Sequence, residues 1–162
     1  MFYLDPQTNK RYRVGTPFTY NGTQYTKYGA NHDKFIELGF TQVVVGQRPD
    51  GRFYIVSGPD STGQYNSTPR DLAELKTNFI REVKTTAFNL LKATDWYIVR
   101  QQELGYSEAP VPASVTAFRA SIRSSVDAHC LAINAAADVP ALKVLVDAGF
   151  AYTEQPDDVT TY

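Results

Sequence analysis

The spacing of hydrophobic positions along this chain changes near residue 68. Before that point apolar residues alternate in short runs cut by Asn, Asp, Gly and Pro; after it they recur three and four residues apart. The first pattern predicts short strands and the second helices. The expected class is α+β: a small N-terminal β-hairpin-rich module with one short helix, then a long helix, then a C-terminal helical hairpin or bundle. The expected division is a β-rich attachment module at residues 1–67, a helical module at residues 68–150 and a flexible acidic tail, 151–162.

Within the first part, Phe18-Thr19-Tyr20 and Thr23-Gln24-Tyr25 flank Asn21-Gly22, a dipeptide that accepts two positive φ angles and so fits a type I′ hairpin turn. That register sets Phe18 opposite Tyr25. Asn31 is placed to cap a short helix over residues 32–38, which Gly39 ends. A second hairpin is expected between residues 41–47 and 52–57 across Pro49-Asp50-Gly51. Its two faces would carry Val43, Val45, Phe53 and Ile55 on one side and Val44, Tyr54 and Val56 on the other. Residues 57–67 read as a loop and as the domain boundary.

Thr68-Pro69-Arg70-Asp71 looks like a helix start, with Thr68 capping and Pro69 in the first turn. Leu72, Leu75, Phe79, Val83 (with Ile80), Ala87, Leu90 and Leu91 then form an apolar stripe that approximates a heptad seam. Near Thr94-Asp95 the pattern admits a continuous helix to Leu104, or a break with Thr94 as a new cap. After Ala109-Pro110-Val111-Pro112, residues 113–137 carry Val115, Phe118, Ile122, Val126, Leu131 and Ile133 at helical spacing. Asp138 caps a last helix over residues 139–148, closed by Gly149.

Composition narrows the function classes. Residues 1–67 hold seven Lys/Arg against five Asp/Glu, and residues 68–162 hold nine against twelve. Neither part has the basic excess of a general nucleic-acid binder, and Lys10-Arg11-Tyr12-Arg13 reads as a solvated strand edge. No apolar run is long enough to cross a membrane, and the N-terminus lacks the pattern of a secretion signal, so cytoplasmic synthesis is expected. The single cysteine, Cys130, and two histidines, His32 and His129, offer no zinc site. Cys130 reads as a small apolar core residue, and His32-Asp33 as a helix start. Phosphate-cradling glycine loops and the H-E-x-x-H signature are absent from the sequence. No catalytic residue, cofactor or metal is expected. Tyrosine, at eleven residues the commonest aromatic, is concentrated in the β-rich part, where it supplies core and cross-strand pairs and suits protein interfaces.

The residues with most information are Asp95-Trp96, Arg100, Pro110 and Pro112, and Phe118-Arg119 with Arg123. An acid–tryptophan step, a paired-proline break and a helix bearing two arginines one turn apart resemble the C-terminal domain of bacteriophage tail-fibre assembly chaperones and related small tail proteins, over residues 68–148. The N-terminal part also resembles small proteins of tailed phages. In chaperone members an Asp-Ile-Pro step usually ends the arginine helix, whereas Ser124-Ser125-Val126 follows Arg123 here. The resemblance implies a non-enzymatic virion structural protein of the tail or its fibres, mediating attachment and oligomerisation and made in the host cytoplasm. The alternatives are a chaperone not retained in the particle and, more remotely, an enzyme acting on host surface polymers.

Leu72, Leu75, Phe79, Val83, Asp95, Trp96, Arg100, Phe118, Arg119 and Arg123 are therefore the expected interaction and structural residues. In a helical hairpin turned near residues 107–109, Asp95 reaches Arg119 or Arg123, and Trp96 packs near Phe118 or Ile122. The partners expected are further copies of the chain, as a trimer by analogy with tail symmetry, and other tail or fibre proteins. Ala117, Ala120, Ala128, Ala132, Ala135 and Ala136 leave little bulk to fill the seam of residues 72–91, which points to self-association or a virion partner along it.

Overall fold

Alternation along Phe2-Tyr3-Leu4 sends Tyr3 to one side of a strand and Phe2 and Leu4 to the other, and all three are buried. This strand, β1 (Phe2–Leu4), is central in a three-stranded antiparallel sheet, between β2 (Arg11–Tyr12) and a strand at Thr41–Val43. Tyr3 stacks on Phe35 with ring centroids 4.6 Å apart, and its hydroxyl hydrogen bonds His32 Nδ1. Phe2 and Leu4 pack with Val43 on the opposite face. The computed structural model describes residues 1–156, and the chain divides into two units, Met1–Pro69 and Arg70–Tyr162. The class is α+β.

The first predicted hairpin forms as β3 (Phe18–Tyr20) and β4 (Thr23–Tyr25), with Phe18 opposite Tyr25 and their rings stacked at 4.7 Å. Asn21 and Gly22 take φ of 47° and 78°, the left-handed pair that a type I′ turn requires. Asn31 Oδ1 accepts from the Lys34 amide and caps α1 (His32–Glu37). Phe35, Tyr12, Phe18 and Phe40 complete an aromatic core against Tyr3.

The second predicted hairpin does not form. β5 (Thr41–Val43) pairs with β1, setting Val43 opposite Phe2, and β6 (Tyr54–Ser57) pairs with β7 (Asn66–Pro69). Asp50 does make a turn: its carbonyl accepts from the amides of both Phe53 and Tyr54, and its carboxylate binds the Arg52 amide and guanidinium. Those bonds describe a helical-type turn, which does not align two flanking strands. Val44 and Ile55, placed by that hairpin on two apolar faces, are 71% and 61% exposed. The returning backbone of residues 58–65 takes the expected partner's place, with the Gly46 amide donating to Gly63 O at 2.9 Å. At Gly63 (φ +84°) a Cβ would lie 2.4 Å from Val44 O, so only glycine allows this approach.

Two boundary expectations shift with this pairing. Residues 66–69 belong to β7, so the linker is shorter than the loop of 57–67, and Thr68 and Pro69 do not start a helix. Asp71 caps instead, accepting from the Glu74 amide at 2.7 Å, and α2 runs Leu72–Lys92. An aspartate accepts at the N-cap more strongly than a threonine already held in a strand.

α2 breaks from α3 (Asp95–Leu104) at Thr94; α4 (Ala113–Ala135) and α5 (Val139–Ala148) follow. Asp138 Oδ1 accepts from the Ala141 amide at the start of α5. α2 packs along α4, and Leu75, Phe79, Val83 and Ala87 are buried, while Leu72, Leu90 and Leu91 are half-buried. The stripe is thus covered within one chain and does not need the second copy or virion partner expected for it. The reason lies in α4: Ala117, Ala120, Ala128 and Ala135 are on its exposed side, and Val115, Phe118, Ile122 and Ile133 are the buried set. Leu131, expected with them, is 73% exposed.

The start of the expected loose tail is held. Tyr152 packs on Ala87, Phe118 and Ile122, and its hydroxyl donates to Val83 O at 3.1 Å. His129 Nε2 bonds Ala151 O at 2.9 Å, its ring meets those of Phe150 and Tyr152, and Ser121 and Thr153 join through their hydroxyls. Residues 157–162 of that tail lie outside the described residues.

Candidate functional site

Asp95 and Arg119, two of the residues singled out in the sequence, meet at the α2–α3 break. A helix leaves its last carbonyls without intrahelical donors, and at the end of α2 Leu91 O accepts from the Thr94 amide at 3.0 Å, the Thr94 hydroxyl at 2.8 Å and Arg119 Nη1 at 3.0 Å. Arg119 Nη1 also donates to Thr94 Oγ1 at 2.7 Å and to Asp95 Oδ1 at 2.8 Å. Thr94 therefore gives its proton to Leu91 and accepts from Arg119, which uses both functions of a hydroxyl. The placement is also favourable to both helix ends: a cation meets the C-terminus of α2 and a carboxylate occupies the first turn of α3.

Burial differs across this cluster. Thr94 is fully enclosed, the Arg119 side chain is 11% exposed, and Asp95 is 51% exposed. The guanidinium is committed to groups within the fold, and the carboxylate shares its charge with solvent. Chemically the arrangement is a clamp: one planar cation ties the C-terminus of one helix to the N-terminus of the next.

Asp95 meets Arg119, as expected, whereas Arg123 is exposed and borders a shallow hollow with Phe88, Leu91 and Val126. Trp96 is placed differently from the expectation. It packs with Tyr97, Val111 and Val115, and Phe118 and Ile122 pack instead with Ala87, Leu90 and Leu91. The expectation set residue 96 opposite residues 119–122 in a hairpin turned near residues 107–109; with the break at Thr94 it is α2 that lies along α4, and residues 96 and 97 meet the entry to α4, one to two turns earlier. Arg100 is exposed and forms no ion pair among the described residues. Leu72 is half-buried, and Leu75, Phe79, Val83 and Phe118 are core residues of the helical unit.

Two features escaped the sequence reading. Thr94 was visible as a cap, but it has no side-chain bond to an α3 amide and serves as the hub of the clamp instead. In the N-terminal unit, Lys10, Arg11 and Arg13 border a cleft of about 900 Å³ together with Phe2, Tyr12, Phe18 and Tyr65. The cluster of charges was legible, but the cleft needs the loop of residues 58–65 folded against it.

Among the described residues no group of three or more His, Cys, Asp or Glu is arranged to hold a metal ion, and no helix is long and apolar enough to cross a membrane. No family model matches the chain, and neither a curated protein nor a solved structure matches it.

Proposed function

We propose that this chain is a non-enzymatic structural protein of a bacteriophage tail or tail-fibre apparatus, which assembles with copies of itself and with other tail proteins in the virion. The observation that carries the reading is the clamp at the helix break. Asp95 and Arg119, two of the residues on which the resemblance rests, bind each other, and Trp96 beside them packs against the start of α4 after the paired prolines. The members of that residue pattern which meet thus act in the architecture of the helical unit, which supports a structural role. With Leu75, Phe79 and Val83 enclosed, self-association uses another surface, and Phe88, Val99, Leu104 and Leu131 are exposed apolar positions available for it.

Mass spectrometry of gradient-purified particles of the source phage tests the proposal. The chain is expected in the particles at a fixed ratio to the tail proteins. Its presence in infected lysate but absence from particles favours the assembly-chaperone alternative, and its absence from both overturns the reading.

A further inference from the structure

The cleft of the N-terminal unit has the makings of a binding site that the structural role leaves unused. Period-two geometry in β2 turns Tyr12 into the aromatic core and leaves Arg11, with Arg13 just beyond the strand, facing outward. The Arg11 guanidinium lies 5.0 Å from the Phe2 ring centroid, and Lys10 Nζ lies 5.5 Å from that of Tyr12. Such ring contacts restrict a cation while leaving N–H groups free for an anion. Among the described residues none of Lys10, Arg11 and Arg13 has a carboxylate within ion-pair distance. Asp60, the nearby acid that feels Arg11, is occupied by the Thr62 hydroxyl and the Gln64 amide.

We infer that this cleft binds an anionic oligosaccharide, its carboxylate or sulfate groups held by Lys10, Arg11 and Arg13 and its hydroxyls by Thr16, Thr19 and Tyr65. A volume of about 900 Å³ exceeds that of a single small anion and suits a segment of a chain. Single-stranded nucleic acid fits less well, because stacking of successive bases needs several open ring faces, and of the rings lining the cleft Phe2, Tyr12 and Phe18 are each less than a tenth exposed while Tyr65 is half-buried. The inference stands on the cleft alone and does not depend on the chain being a virion protein.

Calorimetric titration of the whole protein tests it, with a heparin-derived hexasaccharide and a galacturonic acid hexamer as probes. Both are expected to bind, with affinity falling as salt is raised, and neutral maltohexaose to bind at least ~10-fold more weakly. Loss of two charge-assisted contacts in R11A/R13A should raise Kd by ~10-fold or more. Arg13→Gln, which leaves β2 intact, should give a smaller increase in the same direction. Lys27→Ala removes one exposed charge outside the cleft and should stay within ~2-fold of the parent. The inference is overturned if neither acidic hexasaccharide binds, if maltohexaose binds equally well, if Lys27→Ala matches the double variant, or if a thymidine hexanucleotide or hexaglutamate binds more tightly than both.

Discussion

Arg119 Nη1 stands 2.8 Å from Asp95 Oδ1, yet the two side chains are buried to very different degrees, 11% against 51% exposed. The contribution of the arginine therefore rests more on Leu91 O and Thr94 than on the carboxylate. Removing it takes a charged donor from two enclosed acceptors, leaving Thr94 Oγ1 without one and Leu91 O with only the amide and hydroxyl of Thr94, whereas removing the acid's charge leaves a group that water already solvates. Arg119→Ala should destabilise the helical unit by about 2–3 kcal/mol and Asp95→Asn by about 1 kcal/mol or less. Arg119→Lys should restore only part, since an ammonium cannot reproduce the planar fork. Urea unfolding followed by Trp96 fluorescence measures all three, and an equal or larger loss for Asp95→Asn would contradict the burial argument.

The stripe on α2 makes a second prediction, about concentration. Because Phe79 and Val83 are buried within one chain, Phe79→Ala should cost about 3–5 kcal/mol through cavity formation. That loss should be independent of protein concentration. A Tm that climbs steeply with concentration in the parent and not in the variant would place Phe79 in an intermolecular seam.

Acid should weaken the N-terminal unit. The Thr8 hydroxyl, 2.5 Å from Asp5, and then the Gln7 amide hold the Asp5 carboxyl below the usual carboxylate range. Thr62 and Gln64 do the same for Asp60. Lowered folded-state values mean that the unfolded chain takes up protons first as pH falls. The associated stability is complete above about pH 4, the ordinary carboxylate value, and is lost as the pH drops through the folded values. Near-UV circular dichroism of the tyrosines between pH 6 and 2 should follow the transition, and Asp5→Asn should flatten its pH dependence.

Residues 150–153 supply the fourth prediction. Burial raises the Tyr152 hydroxyl above the usual phenol range, so it remains a donor to Val83 O. Tyr152→Phe should cost about 1 kcal/mol, and Tyr152→Ala more, through lost packing on Ala87 and Phe118. Hydrogen exchange at the α4 amides near His129 should accelerate in the alanine variant and change little in the phenylalanine one.

Features specified by neighbouring residues were legible in the sequence. Asn21-Gly22 dictates its own turn, and with it the register of Phe18 on Tyr25. Asn31 and Asp138 act on amides three residues away. The pair Asp95–Arg119 was also within reach, because helical spacing and a short connection bring those positions together. Val43 could not announce its partner: Phe2 lies far back in the sequence, and the turn at Asp50 supplied a nearer, mistaken one. Trp96 was misplaced for a related reason, since a break at Thr94 changes the direction of everything after it without altering the apolar spacing before it. The cleft was the least visible of all, being a space between segments that no single stretch encodes.

Gly63 sets a rule for how this chain can diverge. Its carbonyl takes the Gly46 amide, and its α-carbon sits where any side chain would strike Val44 O. The separation between the segment leaving β5 and the loop that brings Pro59 and Tyr65 to the cleft is thereby fixed by main chain against main chain. Related chains should then vary in a linked way: those that keep glycine at this position keep the loop length, and those that lose it carry an insertion or deletion between residues 58 and 65. A cleft of altered width, fitted to a different guest, would be the by-product of that exchange.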